Sequence, residues 1–255
     1  MHDLFSLKNK TALITGSSSG MGKAIAEAMG EHGAKIIISS NNEAACKKTV
    51  EEFTEKNIDA AFIVCDVAKK EDIDNLMNTI SENNKIDILV SCVGIAIPSS
   101  TLEISENDFQ KTMSINLQSA VYLSKLVIPQ MVKRKDGVII FLASIAGVRG
   151  NKSIGLYGLS KAGLVQLAKN LAVEFGPDNI RVNTISPGMI DTAFSTSLRE
   201  NKIFMEKRLS LTPLRRVGTV AEIAGVAVML ASKAGGFITG QNIIVDGGTV
   251  ISDGN

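Results

Sequence analysis

Short runs of apolar, largely β-branched residues recur along the chain at 11–14, 35–38, 60–64, 86–90, 137–142, 180–185 and 242–245. Each is too continuously apolar to leave one face in water, which predicts parallel strands covered by helices on both sides. Between them, apolar residues return at helical spacing over 22–32, 44–56, 71–83, 106–133, 157–175 and 220–231. The alternation predicts an α/β protein built on one doubly wound, mainly parallel sheet of seven strands. No linker rich in proline or glycine and no repeat of fixed period interrupts it, so residues 1–255 read as one domain.

Two stretches depart from this pattern. Residues 189–213 follow Pro187-Gly188 with weak periodicity. A connection that long in a compact domain is expected to be a mobile lid, the plainer alternative being an irregular helix pair. Helical segments 109–132 and 157–175 are apolar around most of their circumference, more than one sheet can cover. A second partner surface is expected there, and hence a homodimer or homotetramer.

Composition narrows the class. With 45% hydrophobic and 21% charged residues, the chain has the balance of a soluble globular protein. A formal net charge of +1 gives no global field to draw in nucleic acid or an anionic membrane, and the run Lys133-Arg134-Lys135 reads as a solvated helix end. The three cysteines, Cys46, Cys65 and Cys92, are odd in number and lack metal-ligand spacing, which argues against disulfides and zinc and for a reducing compartment. No signal-like start is present, and no run reaches the ~18 apolar residues of a membrane span, so a cytoplasmic protein is expected. His2 and His32 have no partner in any motif and are assigned to the surface.

The first strand runs into Thr15-Gly16-Ser17-Ser18-Ser19-Gly20-Met21-Gly22 and then a helix. Glycines placed this way allow a tight turn and the close approach of a pyrophosphate, whose charge the free N–H groups and dipole of the helix N-terminus would meet. The spacing differs from the familiar G-x-G-x-x-G, and a glycine-rich turn by itself is common.

Farther along stand Asp66-Val67 after the third strand, Asn116 in the fourth long helix, Ser144 after the fifth strand, Tyr157-x-x-x-Lys161, and Pro187-Gly188-x-Ile190-x-Thr192. With Thr15-Gly16-x-x-x-Gly20-x-Gly22 ahead of them, their order resembles the short-chain dehydrogenase/reductase superfamily over essentially the whole chain. The stretches from Ser186 to Ser195 and Arg215-Arg216-Val217-Gly218 look most like carbonyl reductases of the peroxisomal and tropinone-reductase-like kind, with 3-oxoacyl-carrier-protein reductases and sugar dehydrogenases close seconds. The resemblance implies a Rossmann-type fold and hydride exchange between a nicotinamide dinucleotide and a carbonyl or alcohol carbon. Its cofactor-binding positions are Gly16, Ser18, Ser19, Gly20, Met21, Gly22, Ser40, Asn41, Asp66, Val67, Cys92, Gly94, Tyr157, Lys161, Pro187, Gly188, Ile190 and Thr192. Where many members carry Asn-Asn-Ala-Gly after the fourth strand, this chain has Ser91-Cys92-Val93-Gly94.

The chemistry explains the residue types. Hydride addition to a carbonyl leaves an alkoxide, so a donor must deliver a proton while the oxygen's charge is stabilised. Tyr157 suits that task. Lys161, one helical turn later, is expected to lower the phenol's pKa from ~10 by about 1–3 units. Ser144, at a strand's carboxyl end, would hydrogen-bond the substrate oxygen. Asn116 would, by the resemblance, hold a water that extends the proton path beyond Lys161. Cys92 and Met189 are expected to pack near the cofactor. Ile95, Ile97, Ile145, Leu156 and Met189 are the expected substrate lining, together with Ser144 and Tyr157, and their apolar character favours hydrophobic ketones or acyl chains over small sugars. Arg149, Lys152 and Arg199 read either as a docking patch for an acyl carrier or as ordinary surface. A protein that binds the dinucleotide and regulates without turnover stays open as a different class.

After the second strand an acidic residue would bond the ribose 2′-hydroxyl and repel a 2′-phosphate. This chain has Ser39-Ser40-Asn41-Asn42 there. NADP is the expected cofactor, because no acid rejects its phosphate and neutral donors can hold it; NAD is the alternative, because a phosphate-gripping arginine is absent too and Glu43 stands nearby.

Overall fold

The structure is a computed structural model that describes residues 4–81 and 85–252. His2 and the predicted helix end at Asn83 lie outside the described residues. The chain runs β1 (Thr11–Thr15), α1 (Gly20–Glu31), β2 (Lys35–Ser40), α2 (Glu43–Glu55), β3 (Ala60–Val64), α3 (Lys70–Ser81), β4 (Ile88–Ser91), α4 (Glu106–Met113), α5 (Ser119–Arg134), β5 (Gly137–Leu142), α6 (Gly155–Phe175), β6 (Ile180–Pro187), α7 (Thr196–Arg199), α8 (Lys202–Ser210), α9 (Val220–Ala231) and β7 (Asn242–Val245). The seven strands form one sheet in the order β3-β2-β1-β4-β5-β6-β7. Every pairing is parallel, where the sequence predicted a mainly parallel sheet.

Strand periodicity divides the core. In β1 and β2, Ala12, Ile14, Ile36 and Ile38 face one layer, where Ile25 and Met29 of α1 and Ile223, Ala227 and Val228 of α9 cover them. Leu13 and Ile37 face the other, with Leu76 of α3, Leu123 and Val127 of α5, and Leu164 and Ala168 of α6. Each such Ile, Leu, Val or Met side chain removed from water contributes about 1.5–3 kcal/mol. The central strands are buried on both faces, whereas the edge strands β3 and β7 leave Val64 and Ile244 exposed.

Chain order reverses between β1 and β4, so the loops leaving their carboxyl ends diverge and open a crevice, the usual ligand position in such sheets. Two predicted elements differ in detail. The single helix expected over 106–133 is broken by a π-helical turn at Ser114–Gln118 that contains Asn116. Such turns insert one extra residue into the helical repeat and turn side chains out of step, often at functional sites. The stretch 189–213 holds α7 and α8, and its start is tied down by reciprocal backbone bonds of Gly218 to Met189 and of Asp191 to Gly218. Among the described residues no helix is long and apolar enough to cross a membrane.

Candidate active site

The glycine loop leaves β1 with Gly16 and Gly20 in the left-handed region, at φ 71° and 54°. A Cβ on Gly22 would overlap the Gly16 carbonyl, so the loop closes only with glycine there. Ser17 pins the turn from beneath, its Oγ donating to the Ile14 carbonyl at 2.6 Å and accepting from the Ser39 N–H at 3.0 Å. This serine was missed in the sequence, where nothing separates it from Ser18 and Ser19. The N-terminus of α1 has no side-chain cap and no acid in its first turn. Its orphan N–H groups therefore face the crevice beside Gly20 and Met21, and they fit a pyrophosphate. Gly20 in turn lies against the Thr192 methyl, which brings the start of the lid to the loop.

Ser40 and the exposed Asn41 end β2 at the same edge, where Asn42 caps α2 by accepting from the Ala45 N–H at 3.0 Å. Asp66 is spent locally: its carboxylate accepts from the Ala68 N–H and its own N–H goes to Asp72, while Val67 is buried beside it. Gly188 presses on Asp246 at the end of β7, and Ile190 is buried below the lid.

Tyr157 and Lys161 occupy one face of α6, with Lys161 Nζ 5.7 Å from the centre of the Tyr157 ring. Lys161 is 3% exposed and donates to the Leu142 carbonyl at 2.8 Å. Gly94 makes room for it, since a Cβ there would come within 2.9 Å of Nζ. Burial pushes the Lys161 ammonium down to about 8. Burial also raises the Tyr157 phenol, and a hydrogen bond with the Ser144 hydroxyl opposes the rise. The expectation that Lys161 lowers the phenol is thus corrected: the phenol is raised by the loss of water around its hydroxyl, the opposing hydrogen bond comes from Ser144, and the Lys161 N–H is turned to a backbone carbonyl. Cys92 adjoins the pair. Its thiol is raised to about 11 by burial and stays neutral, so it packs there and holds no charge.

Asn116 does more structural work than expected. Its Oδ1 accepts from the Ile95 N–H at 2.8 Å, and its Nδ2 donates to the Ile95 carbonyl and to Ser160 Oγ, both at 2.9 Å. Ser160 then donates to the Tyr157 carbonyl at 2.8 Å. Both amide N–H donors are committed, so the side chain locks the Ile95 loop to the Tyr157 turn and has no N–H left for a water. Ser144 caps a short turn, accepting from the Ala146 N–H.

Of the expected substrate lining, Ile95, Ile97 and Met189 are partly open, whereas Ile145 and Leu156 are each only 4% exposed. Leu156 instead borders a cavity of about 670 Å³ with Phe109, Val148 and Leu159, on the opposite side of α6 from Lys161. An apolar residue the sequence did not single out, Phe194, sits with its ring 6.3 Å from that of Tyr157 and is 59% exposed. Its turn is held by Arg199, which pairs with Asp191 at 2.7 Å and donates to Ser195 Oγ. Arg199 therefore belongs to the lid and not to a surface patch with Arg149 and Lys152.

The family described as Enoyl-(Acyl carrier protein) reductase matches residues 16–250. A tropinone reductase homolog of Arabidopsis thaliana is 41% identical over 254 residues, covering 99% of this chain and 83% of that protein. The chain belongs to the short-chain dehydrogenase/reductase superfamily. Two solved members share its fold closely. One is a gluconate 5-dehydrogenase from Burkholderia cenocepacia in complex with NADP and tartrate, with TM-score 0.95 and 29% identity over 98% of this chain and 99% of that one. The other is a 7α-hydroxysteroid dehydrogenase complexed with NADH and 7-oxo glycochenodeoxycholic acid, with TM-score 0.93 and 35% identity over 97% of each chain. As a short-chain dehydrogenase/reductase the protein is an NAD(P)-dependent oxidoreductase acting on alcohol or ketone carbons.

Proposed function

We propose that this enzyme is an NADPH-dependent carbonyl reductase of hydrophobic ketones, acting as one catalytic domain in the cytoplasm with residues 189–213 as its lid. The observation that carries the reading is the meeting of Tyr157, Ser144 and Lys161 at one point, with Gly94 and Phe194 leaving an apolar approach beside them. The bound dinucleotide supplies the hydride. The Ser144 hydroxyl donates to the substrate oxygen and holds it beside Tyr157. The Tyr157 hydroxyl, kept protonated by its raised pKa, delivers the proton to that oxygen as its charge grows. The Lys161 charge then stabilises the phenolate left behind and, with a pKa of about 8, exchanges protons near neutrality. Asn116 keeps the Ile95 loop and the Tyr157 turn in register.

A panel of ketones and alcohols, followed by the ultraviolet absorbance of the reduced cofactor with both NADPH and NADH, tests the reading. Reduction of apolar ketones is expected; binding of dinucleotide without any turnover overturns it in favour of a regulator. The preference for NADPH rests on Ser40 and Asn41, which can donate to a 2′-phosphate where a carboxylate would repel it. Ser40→Asp is expected to weaken NADPH by ~1–3 kcal/mol relative to NADH. A wild type that favours NADH tenfold, or an unchanged ratio in the variant, removes Ser40 from cofactor choice.

The apolar rim of the cavity behind α6, where Phe109, Val148 and Leu159 are exposed, is assigned to a second copy of the chain. Light scattering should give a dimer or tetramer, and Leu159→Glu should shift it toward monomer. A monomeric wild type at micromolar concentration would sink this assignment.

A further inference from the structure

Residues 190–199 form the first turns of the lid, and one side chain ties them together. Arg199, at the end of α7, reaches back seven positions along the chain, the direction in which helical side chains lean. Its Nη2 pairs with Asp191 Oδ1 at 2.7 Å and donates to the Thr192 carbonyl at 3.3 Å, and its Nε donates to Ser195 Oγ at 3.1 Å. Ser195 is buried and donates its own proton to the Ile190 carbonyl at 2.7 Å. The Asp191 side chain is 63% exposed, and an exposed ion pair contributes little by itself. The hold therefore comes from the guanidinium fork, whose rigid N–H groups meet a carboxylate, a carbonyl and a hydroxyl at once. The point charge of a lysine would not span the three.

The turn so held faces two different parts of the cleft. Thr192 sets its methyl group against Gly20 of the glycine loop, where a pyrophosphate fits. Two residues later, Phe194 brings its ring to 6.3 Å from that of Tyr157, on the substrate approach. Phe194 is mostly exposed, so packing against the core does not fix its ring; the turn beneath it does. Arg199 bonds on both sides of Phe194, at the Thr192 carbonyl and at Ser195 Oγ, so neither contact keeps its place if the fork is lost.

We infer that Arg199 is a positioning residue that carries Thr192 and Phe194 as one piece, so that the dinucleotide side and the substrate side of the cleft are set together. Tyr157, Ser144 and Lys161 stand outside the turn and keep their places when it is released. Loss of Arg199 therefore weakens binding on both sides and leaves the proton transfer itself intact. The inference deepens the proposed function and rests on it for the dinucleotide over the glycine loop, but not for which ketone or alcohol is turned over.

Fluorescence titration with NADPH and with NADH reads the dinucleotide side without turnover. Arg199→Gln should raise the Kd of the better-bound dinucleotide about fivefold, Arg199→Lys should do nearly the same, and Phe194→Ala should leave it within about twofold. Kinetics at saturating dinucleotide, with the best compound of the ketone and alcohol panel, read the substrate side. Arg199→Gln should raise KM about tenfold and change kcat by less than about threefold. In a Phe194→Ala background the same change should raise KM by less than about threefold, because the side chain through which Arg199 acts is gone. A merely structural role would instead give additive losses and a fall in kcat. Wild-type dinucleotide Kd in Arg199→Gln, wild-type behaviour of Arg199→Lys, or additive KM losses overturns the inference. Preference for NADH or for a polar alcohol, or no turnover at all, counts against the proposed function alone, and the Kd comparison still decides the role of Arg199. Should Arg199→Gln fail to fold, Ser195→Ala, which removes the hydroxyl that anchors the guanidinium, carries the same comparisons.

Discussion

Replacing Tyr157 by phenylalanine should lower kcat for the best ketone by about two to four orders of magnitude while the dinucleotide Kd changes far less. The ring, its contact with Phe194 and its place over Lys161 survive the change; only the hydroxyl is lost. That hydroxyl is the one phenol the structure sets beside both Ser144 and Lys161. The measurement is single-turnover kinetics beside a fluorescence titration of the cofactor. Near-wild-type turnover in the variant would remove Tyr157 from the proton path and leave Ser144 without an acid to work with.

The second large effect joins activity to stability. Lys161 is buried as an ammonium whose pKa falls from 10.5 to about 8, and a shift of that size corresponds to roughly 3 kcal/mol of folding free energy spent on keeping the charge inside. The unfolded lysine binds its proton more tightly than the folded one. Stability therefore rises with pH between about 8 and 10.5, and the full cost is carried below that window. Lys161→Met fills a similar volume without charge but leaves the Leu142 carbonyl without its donor, a loss of about 1–2 kcal/mol. The variant should be more stable than wild type at pH 7 by ~1–2 kcal/mol, and the advantage should vanish toward pH 10. Its turnover should fall by orders of magnitude, because no charge remains to stabilise the phenolate. Urea melts at the two pH values decide it: a variant less stable at pH 7, with no change in the difference as pH rises, would mean that Lys161 is not held at a cost. In wild type, ketone reduction should decline as pH passes about 8 and Lys161 loses its charge.

These two expectations draw on different levels of information. Continuous apolar runs and helical spacing were enough for the parallel sheet and its helices, because burial on both faces of a strand leaves a local mark at every position. The strand limits shift by one or two residues, and at β3 and β7 the same apolar runs stand on edges, where Val64 and Ile244 remain exposed. Tyr157 and Lys161 were legible as a pair for the same local reason, since residues four apart share a helix face. Gly16, Gly20 and Gly22 were legible as a loop, though not the role of Ser17, whose partners Ile14 and Ser39 meet only when β1 and β2 pair.

What tertiary structure alone decided lies at contacts between distant segments. The π-turn at Ser114–Gln118 and the bonds of Asn116 to Ile95 and Ser160 join parts of the chain 21 and 44 residues apart. No periodicity encodes such a meeting. The direction of the Tyr157 shift depended on how much water the fold removes from the hydroxyl, and the spacing to Lys161 carried no information about that. Phe194 became part of the site only because Arg199 and Asp191 fold the lid's first turn over Tyr157. The sequence determined which groups could do chemistry, since composition and local spacing select residue types. The fold determined which of them share a low-dielectric space, since desolvation and charge interaction depend on distance through space and not along the chain.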